Sequence, residues 1–95
     1  MREKLDFVSI LDRKTNLIDI VTKQPITVRV LLSKLPKELT ELATNAESRL
    51  SFTRQLDKLY DSGQRELGTA WSDLKLYGEL SENEAFDLIR QFKEN

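Results

Sequence analysis

The chain has no cysteine and no histidine among its 95 residues. Without cysteine there are no disulfides, thiolate metal sites or thiol nucleophiles, and a reducing cytoplasm is the expected location. Without histidine the commonest general base and the commonest metal ligand are both missing, so any chemistry would fall to carboxylates, Lys, Ser, Thr and Tyr. Glycine is scarce as well. Gly63, Gly68 and Gly78 match neither the dinucleotide fingerprint nor the P-loop, which argues against nucleotide hydrolysis. The apolar runs, such as Val30-Leu31-Leu32, are far too short to span a bilayer, and the N-terminal stretch lacks a signal-peptide apolar region. The sequence therefore predicts no catalytic, cofactor-binding or metal-binding residues, no membrane partner and no small-molecule substrate.

What is present suits a small folded protein. Hydrophobic residues make up 39% of the chain and charged residues 33%, and seven large aromatics give a core something bulky to close around. One domain over residues 1–95 is expected, stable by only about 5 kcal/mol. The net charge of −1 conceals a gradient. Residues 1–34 carry seven Lys/Arg against four Asp/Glu, residues 35–78 six against seven, and residues 79–95 two against five. The basic end would favour a polyanion and the acidic end would repel one.

Local patterns predict an α+β fold, with a β-rich part over about 5–32 and a helical part over about 36–94. Phe7–Leu11 and Leu17–Val21 flank a polar cluster, Asp12–Asn16, as two strands flank a turn. Pro25 is expected to end the second strand. Residues 26–34 have two readings. Ile26, Val28 and Val30 alternate as in a third strand, the favoured version, while Thr27 is placed to cap a short helix running to Lys34. The N-terminal part is thus a hairpin or a three-stranded meander.

Three to four helices should follow. Pro36 suits a first helical position. Thr44 with Glu47 has the form of a capping box, predicting a helix restart near Asn45. Ser62-Gly63 reads as a stop, with Gly63 free to take the left-handed conformation. Residues 64–77 read as a further helix, or residues 66–80 as a β-wing. Gly78 is placed to close that segment, and Ser81 with Glu84 forms a second capping box with Leu80 and Ala85 as its hydrophobic staple. That box predicts a helix from Glu82 to about Lys93, with Ala85, Phe86, Leu88, Ile89 and Phe92 on one face.

Two functional expectations follow. A three-four stripe from Leu35 to Tyr77 is longer than one small core needs, which predicts a non-enzymatic regulatory or accessory protein that binds a protein partner or a second copy of itself. Leu39, Leu42, Tyr60, Trp71 and Tyr77 are the candidate interface residues. The alternative starts from residues 41–63: a Leu-Ala helix, a turn, then a helix rich in Ser, Arg, Thr and Gln and closed by Gly63. This arrangement resembles the helix-turn-helix core of bacterial winged-helix regulators and implies DNA binding. Ser48, Arg49, Ser51, Arg54 and Gln55 would then face the major groove, with Phe52, Leu56 and Leu59 packed inward. A compact chain of this type would suit an accessory protein of a bacterium or phage.

Overall fold

Thr27 decides how the N-terminal third is built. In the computed structural model, which describes residues 7–94, its hydroxyl accepts a hydrogen bond from the Val30 amide at 3.4 Å and starts a helix from Val28 to Ser33. The expected third strand is therefore absent, and the short capped helix, ending at Lys34, takes its place. Helix α1 spans Phe7–Leu11, strand β1 Lys14–Ile18, strand β2 Pro25–Thr27, and α2 is the Val28–Ser33 helix.

The hairpin exists, displaced along the chain from its expected position. Phe7–Leu11 is helical, because a five-residue apolar run carries no period that separates strand from helix and burial of Leu11 settles it. The expected turn residues Lys14–Asn16 are strand instead. Thr15 and Leu17 turn inward, and the Thr15 hydroxyl donates to the Ile26 carbonyl at 2.8 Å while accepting from the Leu17 amide. Strands β1 and β2 pair antiparallel, Lys14 opposite Thr27 and Ile18 opposite Pro25, with an irregularity between. Pro25 opens β2 rather than ending a strand, a position where a missing N–H is tolerated.

Four more helices complete the fold: α3 Lys37–Asn45, α4 Arg49–Asp61, α5 Glu66–Gly78 and α6 Glu82–Glu94. These four match the three to four expected over residues 36–94; with the unexpected α1 and α2 there are six among the described residues, and none is long and apolar enough to cross a membrane. Pro36 sits one place earlier than expected, as the N-cap of α3. The Thr44–Glu47 capping box does not form. The Thr44 hydroxyl donates back to the Thr40 carbonyl at 2.8 Å inside α3, and Ser48 caps α4 by accepting from the Ser51 amide at 3.1 Å. The second capping box forms as expected, Ser81 N–H to the Glu84 carboxylate at 3.0 Å and Glu84 N–H to the Ser81 hydroxyl at 3.1 Å, and Leu80 and Ala85 are buried beside it.

Phe52 lies at the middle of the core. Its ring meets Trp71 edge-on with centroids 4.8 Å apart and Phe86 at 5.3 Å, so α4, α5 and α6 converge on one aromatic cluster. Leu39 and Ala43 of α3, Leu56, Leu74, Leu88 and Ile89 fill the space around it, and Leu11, Val28 and Leu32 extend the same core beneath the hairpin.

The α4–α5 and α5–α6 connections each use a left-handed residue. Gly63 closes α4 with φ 103°, and the Gln64 amide reaches back to the Leu59 carbonyl at 2.9 Å. At the end of α5 the left-handed residue is Glu79, at φ 54°, with the Leu80 amide bonded to the Lys75 carbonyl at 2.9 Å. Gly78, expected to occupy this position, is instead the last helical residue; an added Cβ there would meet Leu80 Cδ1 at 3.1 Å. The Glu79 side chain is exposed and forms no ion pair among the described residues, so a glycine there would relieve the strain without losing an ion pair. Glu79→Gly is expected to raise the unfolding free energy by about 0.5–1 kcal/mol. In urea this appears as a higher midpoint with an unchanged slope, and a lower midpoint would contradict it.

Candidate interaction surfaces

Asp19 organises the hairpin end. Its Oδ1 accepts from the Val21 amide at 2.7 Å and the Thr22 amide at 3.1 Å, its own amide donates to the Gln24 carbonyl at 2.9 Å, and its carbonyl accepts from Lys23 at 2.8 Å. The two backbone donors on the carboxylate hold its pKa below the usual value, Thr22 contributing most. Lys23, at φ 63°, returns the chain to β2. Of the six successive amides from Asp19 to Gln24, all but that of Ile20 are thereby bonded within the turn, Gln24 to the Thr22 hydroxyl at 3.3 Å. This internally satisfied loop holds apolar side chains out into solvent: Ile18 is 55% exposed, Ile20 84% and Val21 87%.

Charge is segregated between the two parts of the fold. From Arg13 to Lys34 there are five Lys/Arg and one Asp; from residue 35 to 94 there are eight Lys/Arg and twelve Asp/Glu. Arg29 pairs with Asp12 at 3.1 Å, and Arg13 donates to the Gly78 carbonyl and, at 3.2 Å, to the Glu79 carbonyl. Arg13 thus fastens the hairpin to the carbonyl end of α5, where a cation is favoured. Lys14 and Lys23 form no ion pair among the described residues.

A groove of about 630 Å³ runs between α4 and α5. Leu56, Gly68 and Trp71 line its depth, Asp57 and Tyr60 one wall, and Lys75 the far end. Gly68 explains its shape, since a Cβ there would come within 3.0 Å of the Tyr60 ring. Tyr60 is in turn covered by the Arg65 guanidinium at 5.1 Å. Glu82, at the start of α6, bonds both Arg49 at 2.7 Å and Lys75 at 3.2 Å, and Lys75 also lies 5.0 Å from the Trp71 ring centre. Asp57 has no ion-pair partner among the described residues.

No protein family matches the chain, and comparison with curated proteins and with solved structures finds no match.

The residues singled out in the sequence separate into three groups. Leu39 and Trp71 are core, Leu42 is half-buried against it, and only Tyr60 is well exposed, with Tyr77 intermediate. Leu35, Leu56, Leu59, Leu67, Ala70 and Leu74 of the same stripe are also in or against the core, so internal packing accounts for the stripe's length. On the helix-turn-helix side, α3 and α4 form with a three-residue connection, the 66–80 β-wing is helix α5, and Phe52, Leu56 and Leu59 pack inward as expected. Arg49 is tied to Glu82, Ser48 is engaged as a cap, and Gln55 donates to Ser51 at 3.2 Å. Arg54 is exposed, while Gln55 lies in a shallow depression with Glu38 and Glu41.

The hairpin apex went unrecognised because Ile18, Ile20 and Val21 look like an ordinary strand; the available signal was Asp19 three residues before Thr22, the pattern of a side-chain-capped turn. The chain also contains a Ser-x-x-Lys spacing, Ser72 to Lys75. Both residues line the groove, and Lys75 is engaged by Glu82 and Trp71 rather than by Ser72.

Proposed function

We propose that this chain is a non-enzymatic interaction protein, cytoplasmic in location, that binds a protein partner through the apex of its hairpin. The supporting observation is the ordered turn that keeps Ile20 and Val21 more than four-fifths exposed. Exposed apolar side chains on a rigid, internally bonded loop lose little entropy on docking and leave few backbone groups unsatisfied. DNA binding through α4 has less in its favour, because one of its two arginines is neutralised by Glu82 and three acids of α3 and its following turn, Glu38, Glu41 and Glu47, lie beside the same surface.

A photo-crosslinking residue placed at position 20 in one variant and at position 54 in another tests the proposal in the native host. Protein adducts from position 20 are expected. Nucleic-acid adducts from position 54, with none from position 20, would overturn it in favour of the alternative.

A further inference from the structure

We infer that the partner of the hairpin apex is a second copy of this chain, docking Ile20 and Val21 into the α4–α5 groove. The inference rests on the proposed use of the apex and names what covers it. The apex is a narrow apolar projection that also carries Lys23, which forms no ion pair among the described residues. The groove is a cleft of about 630 Å³ with Leu56, Gly68 and Trp71 in its depth and the unpaired Asp57 on its wall. The projection meets a cleft of mixed lining, with Tyr60 on its wall as the exposed aromatic surface, and the unpaired Lys23 meets the unpaired Asp57. The opposite charge excess of the hairpin segment and the helical segment orients the approach over longer range. Within one chain the contact is not made, since Ile20 and Val21 are almost wholly in solvent.

The two surfaces differ, so the contact is head-to-tail. Each copy offers one projection and one groove, and association proceeds through a series of sizes unless the rotation closes a ring. Gly68 is the residue that keeps the cleft open beside Tyr60, and Tyr60 supplies an aromatic wall with area to bury.

Sedimentation and light scattering of the purified chain, with two variants, test this. The projection variant, Ile20→Ser with Val21→Ser, and the groove variant, Asp57→Lys with Thr69→Lys, alter only exposed positions, and circular dichroism checks that both stay folded. Wild type is expected to grow in mass with concentration, less so at high salt. Each variant should weaken association by roughly tenfold or more. Mixed together, the two variants should form a one-to-one pair and nothing larger, because each retains the half the other has lost.

A wild type that stays monomeric to millimolar concentration overturns the inference, and so does a dimer indifferent to both variants. If such a monomer still gives protein adducts from position 20, the partner is a different protein and the broader proposal stands. If instead it binds phosphatidylcholine–phosphatidylserine vesicles and the projection variant does not, the apex is a lipid-contacting loop and both fall.

Discussion

Phe52→Ala is expected to lower the unfolding free energy by about 3–5 kcal/mol. Phe52 is fully buried and touches both Trp71 and Phe86, so truncation opens a cavity where three helices meet. For a domain of this size, that is a large part of the whole stability. Urea unfolding followed by tryptophan fluorescence would show it directly, because Trp71 is the only tryptophan and loses its neighbour. Leu50→Ala, two residues earlier on the exposed side of the same helix, should change stability by no more than about 0.5 kcal/mol. Equal effects of the two substitutions would mean that α4 does not present the face described.

Leu39→Ala should cost about 2–5 kcal/mol of stability and leave association unaltered once the protein is kept folded. The sequence pattern marks Leu39 as a contact for a partner, whereas the fold buries it completely between α3 and the rest of the core. The two roles separate in a denaturation curve measured at several protein concentrations. An interface residue shifts the midpoint in a concentration-dependent way, and a core residue lowers it at every concentration. A stable Leu39→Ala protein that no longer associates would restore the interface role.

The sequence revealed elements whose causes are local. Ser81 and Glu84 satisfy each other's backbone partners within four residues, and Ser62-Gly63 ends α4 by a conformation only glycine adopts cheaply, so both were readable from composition at fixed spacing. The N-terminal third was not. Lys14 and Asn16 have the composition of a turn, and only pairing with a second strand, together with packing of β1 on α5, makes them extended. Thr44 and Glu47 show the opposite error, a correct local pattern overridden because α3 runs through Thr44 to Asn45 and breaks at Ala46. The stripe from Leu35 to Tyr77 was correctly seen as apolar and wrongly counted as surplus, since periodicity reports a face and not what that face meets. Of the candidate surfaces, the helix pair around residues 41–63 was legible as a helix-turn-helix shape. The groove was not, because it depends on the missing side chain of Gly68 lying beside Tyr60 in space.

Arg13 contacts carbonyl oxygens 65 and 66 positions further along the chain. During synthesis the hairpin is made well before the end of α5 exists, and until then the Arg13 guanidinium lacks these two acceptors. Contacts between α3 and α4 join neighbouring segments and can form meanwhile, whereas closing the loop to Arg13 must wait. The N-terminal segment is thus made first and fastened late.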